Sequence, residues 1–266
     1  MKLKPVTSKR SVGLTDADAR VTGLKKSDDE LRQATEQDTL RISELQRVFY
    51  ADARHALLIV LQGRDAAGKD GTIRKVFSAV NPQGCDVASF KAPTDIEQRH
   101  DFLWRIHAHI PPRGMIGIFN RSHYEDIIVP RVHGLLRKKE WSARYDQIND
   151  FERMLAANGV VILKFMLHIS RAEQKRRLEE RLTDATKNWK FRVGDLDDRR
   201  KWGAFTKAYR GILSHTSTDW APWFIVPADN KDVRDWLISR TIADTLEDLK
   251  LRYPPADPEI VGIKVD

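Results

Sequence analysis

The strongest constraint on this chain lies between Ala56 and Gly71, where the run ALLIVLQ leads without a break into GRDAAGKDG. A short continuous apolar run, β-branched in part and stopped by a glycine, reads as a strand buried on both faces of a parallel sheet. Gly63 and Gly68 stand five apart and Lys69 follows. This is the G-x-x-x-x-G-K spacing of a phosphate-binding loop, whose required context is a strand before it and a helix after it. The residues Gly63, Ala66, Ala67, Gly68, Lys69, Asp70 and Gly71 are then the expected anion cradle, with backbone N–H groups at a helix N-terminus. Lys69 adds a point charge that can follow a phosphoryl group in transfer. The bland alternative is a glycine turn that happens to end in lysine.

Two acids in this stretch need an account. The residue after the lysine is ordinarily Ser or Thr, whose hydroxyl holds Mg²⁺; here it is Asp70. Inside the loop stands Asp65, a carboxylate that would repel phosphate unless a cation lay between them. Asp65 therefore reads as a ligand for Mg²⁺, or for Mn²⁺ in its place. Asp70 reads as an acid that compensates the dipole of the helix it opens, with replacement of the missing hydroxyl as the alternative.

The alternation of patterns fixes the fold class. Further apolar runs lie at 86–90, 115–119, 160–169 and 223–226, and helical periodicity fills 94–109, 122–133, 142–157, 170–184, 195–215 and 229–251. About five strands alternating with helices predict a three-layer α/β domain on a parallel sheet. Residues 1–26 read as an irregular arm. Ser27 to Glu30 form a capping box ahead of a helix carrying Leu31, Ile42, Leu45, Val48 and Phe49. The expected division is an N-terminal arm and helix at 1–50, a phosphate-loop domain at 51–252 and a Pro-rich tail at 253–266. The single Cys85 excludes an internal disulfide. No run approaches the roughly 18 apolar residues of a membrane span, and MKLKPVTSKR lacks the apolar stretch of a secretory signal. These features point to a cytoplasmic protein.

A second constellation is IGIFNRSHYEDIIVPRV, 116–132. Here polar residues follow the C-terminal end of a strand, the edge at which open α/β sheets hold ligands. Asn120 stands where many phosphate-loop enzymes place Asp. It cannot act as a base, but it can orient a phosphate oxygen or a metal-bound water. Arg121 follows. Ser122 and Glu125 form a capping box that alone accounts for both. Glu125, Asp126 and Arg131 continue at helical spacing, and some of them should face the site.

A third feature is charge. The chain carries a formal +8, and 171–210 alone holds 13 Lys/Arg against 7 Asp/Glu, a local +6. Such an excess suits a polyanion. Arg177 and Arg181 share a helical face, and Lys187 and Lys190 lie beyond the helix. Two accounts compete: a mobile basic lid over phosphates, and a surface ladder of i,i+4 pairs, Glu173–Arg177, Lys175–Glu179 and Arg176–Glu180. The lid is favoured. No basic stripe interleaved with aromatics argues for nucleic acid. His100, His107 and His109 match no zinc spacing, and no G-x-S-x-G or H-E-x-x-H supports a hydrolase.

Taken together, GRDAAGKDGTI, NPQGCDVASFKAPT, FNRSHYEDIIVPRVH and RLTDATKNWKF resemble polyphosphate kinase family 2 over roughly residues 40–250. The resemblance implies a thymidylate-kinase-like phosphate-loop fold with a helical lid at about 171–200. It also implies transfer of a terminal phosphoryl from inorganic polyphosphate to a nucleotide, with Mg²⁺. By the same resemblance Asp65 matches a metal- and phosphate-orienting acid, and Lys69 the loop lysine. Arg121 and Arg131 match phosphate-binding arginines, and Arg177, Arg181, Lys187 and Lys190 match the lid. KAPT, with Lys91 and Thr94, matches a nucleotide-side segment. The FNRSHYED form is similar to the subclass acting on both AMP and ADP, although Asn120 departs from the usual Asp. The resemblance further implies a homodimer or homotetramer. The alternatives are an ATP-dependent nucleoside or nucleotide kinase and a nucleic-acid-binding phosphate-loop ATPase.

Overall fold

The computed structural model describes residues 1–7, 12–260 and 262–265. Its centre is β1 (Ala56–Gly63), all eight residues of which are buried. Parallel neighbours flank it: β3 (Ile116–Asn120) on one side and β4 (Val160–His168) on the other, with β2 (Cys85–Ser89) and β5 (Trp223–Pro227) outside them, in the order β2-β3-β1-β4-β5. The period of two along β1 divides the interior. Leu57, Ile59 and Leu61 enter a core shared with α1 (Asp28–Asp52) and α9 (Lys231–Asp248). Ala56, Leu58 and Val60 enter a second core shared with α4 (Glu125–His133), α5 (Lys138–Ala157) and α8 (Trp202–Thr216). A strand buried on both faces has no polar side to spend, which is why this run is apolar throughout. The three-layer α/β reading holds.

Helix α1 begins where the capping box places it. Ser27 Oγ accepts from Glu30 N at 3.2 Å, and the Glu30 carboxylate accepts from Ser27 N at 2.7 Å. Leu31, Ile42 and Phe49 are buried against α9, while Leu45 and Val48 are half-buried. The arm before it is irregular, as expected, apart from a short turn at Asp16–Ala19, and is tied down at both ends. Val6 N donates to Trp223 O at 2.8 Å, and Pro5 forms an antiparallel bridge to Phe224 on the edge strand. Residues 8–11 of the arm lie outside the described residues.

Two helical expectations need correction. The span 94–109 holds only a 3₁₀ turn at Glu97–Arg99 and a single helical turn, α3 (Trp104–His107). Thr94 and Glu97 make reciprocal capping bonds at 3.3 and 2.7 Å, but His100 is extended and Asp101 Oδ1 then takes the Leu103 amide at 2.9 Å. The side chain thus restarts the turn and competes with helix continuation. The span 195–215 is two helices, α7 (Gly194–Arg200) and α8, parted at Lys201. The tail at 253–266 carries no regular structure except for turns at Pro258–Ile260 and Gly262, with residues 261 and 266 outside the described residues. Among the described residues no helix is long and apolar enough to cross a membrane.

If α1 is part of the same cooperative unit as the sheet, Ile42→Ala should cost about 2–5 kcal/mol and shift one urea transition of the whole chain. A partial loss of helical signal at an unchanged midpoint would make α1 a separable extension.

Candidate phosphoryl-transfer site

Three segments meet at the C-terminal edge of the sheet. Register aligns Leu61 with Asn120 and Gly63 with Leu167, so the end of β3 lies beside the loop that leaves β1. The loop turns at Arg64–Ala67 and passes through Ala66 in the left-handed region (φ 63°) into α2 (Lys69–Val76). Gly68 has φ +107°, and a Cβ there would lie 2.9 Å from Arg234 Cζ and collide with its Nη1. Gly63 is closed off differently: its Cβ would be 2.7 Å from Leu167 O. Only glycine fits either place.

Two buried arginines hold the loop from behind. Arg177, from α6 (Arg171–Thr183), donates to Ala66 O at 2.9 Å, Ala67 O at 3.2 Å, Ala228 O at 2.7 Å and Asp229 O at 2.8 Å. Arg234, from α9, donates to Ala67 O at 3.4 Å and is paired with Asp235, which also accepts from Thr72 on α2 at 3.0 Å. Gln174 donates to Asp65 O at 3.1 Å. With its carbonyls so engaged, the loop has N–H groups left for an anion, apart from that of Ala67, which closes the turn on Arg64 O.

Lys69 is buried, and its Nζ donates to Gly63 O at 2.8 Å. Burial, with the nearby Arg121 cation, pushes its ammonium down to about 8 against the pull of Asp65, Glu125 and Asp70. Arg121 has φ 63°, a conformation strained for a side chain of this size. Its Nη2 donates to Asp65 Oδ1 at 2.7 Å and its Nη1 reaches Glu125 Oε2 at 3.4 Å. Burial opposes its charge, but the Glu125 and Asp65 carboxylates outweigh burial and hold it cationic. Asn120 Nδ2 donates to Asp70 Oδ1 at 2.7 Å. Asp70 does stand in the first turn of α2, where an acid suits the dipole, but it also fixes the Asn120 amide.

The Ser122–Glu125 capping box is not formed. Helix α4 starts at Glu125 behind Tyr124. With the Gln62 amide oriented to suit its neighbours, its oxygen accepts from Ser122 N at 3.1 Å and its nitrogen donates to Glu125 Oε1 at 2.9 Å. Gln62 therefore takes both ends of the expected box, and Glu125 is turned toward Arg121 instead. Burial raises the Glu125 carboxyl, against the pull of Arg121 and Lys69. Below this turn lies a wholly buried ionic cluster. Lys164 Nζ meets Glu152 Oε2 at 2.5 Å, Tyr124 OH at 2.8 Å and Thr216 O at 2.7 Å, and His123 Nε2 lies 3.2 Å from Glu152 Oε1. It clamps His123 and Tyr124, two of the three residues between Arg121 and Glu125.

The remaining expected residues are placed unevenly. Lys91 is exposed; its carbonyl accepts from Arg105 at 2.8 Å, and Arg105 is paired with Asp126 at 3.1 Å, which sets KAPT against the start of α4. Thr94 serves the turn at 97–99. Arg131 lies at the far end of α4 and donates to Tyr145 OH at 3.0 Å, facing a different groove. Arg177, expected on the lid, has its donors on carbonyls and Glu173 instead, because its side chain turns inward to the loop. Arg181 reaches Lys190 O and Asp195, Lys187 pairs with Glu180 and Asp184, and the Lys190 ammonium lies 4.9 Å from the Trp189 ring centroid. All three ladder pairs are present, at 2.7, 3.5 and 3.3 Å.

Sequence reasoning missed Arg234, Asp235, Arg64, Gln62, Gln174 and the Lys164–Glu152 pair. A faint signal existed for the first two: an adjacent Arg and Asp between Val233 and the apolar run Trp236–Leu237–Ile238 of α9. The Arg64 guanidinium is buried 3.8 Å from the Trp202 ring centroid and donates to Thr206 Oγ1 at 2.6 Å. That contact joins residues far apart in the chain and leaves no local trace.

Among the described residues no three His, Cys, Asp or Glu side chains converge as a metal cage. That fits Mg²⁺, which takes one or two carboxylates and completes its shell with water and substrate phosphate. Asp65 offers such a donor, since its pairing with Arg121 engages Oδ1.

The chain is similar to known proteins over most of its length. The family model of polyphosphate kinase 2 matches residues 25–254. An AMP/ADP-polyphosphate phosphotransferase of Meiothermus ruber is 50% identical over 225 residues, covering 85% of this chain and 84% of the relative. An ADP-polyphosphate phosphotransferase of Rhodopseudomonas palustris is 46% identical, covering 82% and 80%. The crystal structure of polyphosphate kinase 2 from Arthrobacter aurescens TC1 superposes with a TM-score of 0.92 at 39% identity, covering 97% of this chain and 92% of that one.

Gly68→Ala must displace either the loop or Arg234. It should weaken binding of inorganic tripolyphosphate on the order of tenfold or more, measured by calorimetric titration. Gly71→Ala, whose Cβ would meet Arg234 at an ordinary 3.5 Å, should leave that affinity within about twofold. Equal effects would mean that the left-handed turn at Gly68 does not shape the cradle.

Proposed function

The chain belongs to the polyphosphate kinase 2 family, and on that premise we propose that it transfers the terminal phosphoryl group of inorganic polyphosphate to AMP and to ADP. The observation that carries this reading is the convergence at one sheet edge of Lys69, the Arg121–Asp65 pair and the Asn120–Asp70 pair. The nucleophile is a phosphate oxygen of the nucleotide, already anionic near pH 7. It forms the new P–O bond as the bond to the next phosphate of the polymer breaks, and the shortened polymer leaves as an anion. No strong base is needed, which is consistent with an amide at position 120. Such a reaction depends on position and on charge stabilisation. The loop N–H groups and Lys69 hold the donor, Arg121 meets the charge that builds on the transferring group, and Asn120 orients the acceptor. Mg²⁺, or Mn²⁺, held at Asp65 would supply further charge neutralisation. The name of the Meiothermus relative couples polyphosphate to both AMP and ADP, which supports two acceptors. The direct test is product formation from AMP and from ADP, with polyphosphate and with ATP as separate donors. Turnover with ATP and none with polyphosphate would overturn the proposal.

The perturbed lysine gives a pH signature. Lys69 is useful as a cation and titrates near 8 in the free protein, so kcat/KM should be level below pH 8 and fall about tenfold per unit above it. Lys69→Arg, always charged, should be slower yet lack this alkaline limb. Its persistence in that variant would assign the limb to another group.

Asp65→Asn removes charge but keeps shape. Turnover should fall on the order of 10²-fold and recover in part at high Mg²⁺. Asp70→Asn, whose amide oxygen can still accept from Asn120, should lose far less. Equal losses would undo the assignment of the metal to Asp65.

A further inference from the structure

A second basic surface lies apart from the loop. Arg131 of α4, Lys138, Trp141, Tyr145 and Asp146 of α5, and Lys207, Arg210, Gly211 and Ser214 of α8 line a groove of about 550 Å³. Four cations face a single acid. Four of the five cations of α6 make a contrast, since Lys175, Arg176, Arg177 and Arg181 each lie within ion-pair distance of a carboxylate. Among the described residues none of Arg131, Lys138, Lys207 and Arg210 does. Like charges gathered from three helices without partners repel one another, and an anion of matching length relieves that repulsion.

The floor of the groove is built. Arg131 lies 4.6 Å from the Trp141 ring centroid and donates to Tyr145 OH at 3.0 Å. A Cβ on Gly211 would collide with both Arg131 Nη1 and that hydroxyl. Tyr145 is in turn stacked on His215, centroids 4.7 Å apart at 12°. Each of the two aromatic rings therefore has one face already covered, Trp141 by a guanidinium and Tyr145 by an imidazole. A nucleotide or a single strand of nucleic acid would want open ring faces for its bases. A chain of bare phosphates does not.

We propose that this groove binds a distal stretch of the inorganic polyphosphate whose terminal phosphate occupies the loop. The inference rests on the donor proposed above. Helix α8 links the two places: Trp202 and Thr206 hold Arg64 of the loop, while Lys207 and Arg210 on the adjoining face line the groove. A polymer long enough to reach both is held at two points, and the second contact raises its apparent affinity through effective concentration. A short chain gains nothing from it.

The test compares chain lengths. Lys207→Glu/Arg210→Glu should raise KM for polyphosphate of about a hundred phosphates by on the order of fivefold or more, leaving KM for tripolyphosphate and for AMP unchanged. Lys207→Gln/Arg210→Gln should do the same more weakly and serves if charge reversal disturbs folding. An equal change for long and short donors, or none for long ones, overturns the proposal. So does a change in oligomeric state by light scattering, which would make the groove a subunit contact. Equilibrium binding of the long polymer to Lys69→Ala, with and without the groove substitutions, separates the two levels of inference. Binding lost only with the groove substitutions supports the groove even if the donor proves to be ATP, whereas an absence of polyphosphate turnover in the unmodified protein counts against the donor.

Discussion

The backbone of the phosphate loop can face an anion because its carbonyls are answered from behind. A tight turn that aims its N–H groups one way aims its C=O groups the other, and buried carbonyls without donors are costly. Here Arg177 and Arg234 reach in from α6 and α9 to meet Ala66 and Ala67. Each hydrogen bond from a charged donor contributes about 1.5–3 kcal/mol, and more is lost if one partner is removed alone. Neither guanidinium is free to leave: Arg177 is held by Glu173 and two further carbonyls, and Arg234 by Asp235. The left-handed Gly68 is the counterpart of this arrangement, since the Arg234 head occupies the space a side chain would need.

The acids of the site follow a similar logic of shared partners. Asp65 ties the loop to the end of β3 through Arg121, and Asp70 ties α2 to the same strand through Asn120. Four side chains thus cross-link three elements at the place where the chemistry is proposed. The strained backbone of Arg121 is held by what lies beneath it, the Lys164–Glu152 cluster with His123 and Tyr124. Burial works against both ions of that cluster, but the attraction of Lys164 still keeps the Glu152 carboxyl below its ordinary range. Such a cluster is a poor source of net stability. What it supplies is one fixed path for the chain between Arg121 and Glu125.

Much of this was legible in the sequence, for reasons that can be located. The buried strand, the glycine spacing and the Ser27 capping box each act within a few residues, so local pattern carried them. The helix expected at 94–109 failed for a local reason too: Asp101 competes for the backbone, and periodicity does not see a side chain that caps itself a new turn. Position 122 failed for a distant reason, because Gln62 of another strand completes the hydrogen bonds that Ser122 and Glu125 would otherwise exchange. Arg177 lay between two accounts. Its pairing with Glu173 was readable at i,i+4, but its inward turn depends on loop carbonyls more than a hundred residues earlier. Local chemistry is visible in one dimension, and tertiary partners of polar groups are not.

The tethered arm has a consequence for how the chain is made. Ser217 Oγ donates to Val6 O across 211 positions of sequence, and the Trp223 carbonyl accepts from Val6 N. Residues 5 and 6 therefore dock on a strand that is synthesised more than two hundred positions after them. At roughly 5–20 residues per second, the edge of the sheet stays uncovered for on the order of ten seconds or more. Pairing over such separations is slow in any case. During that interval the arm has no strand to dock on and β4 lacks its outer neighbour, so exposure to aggregation is greatest before β5 is made.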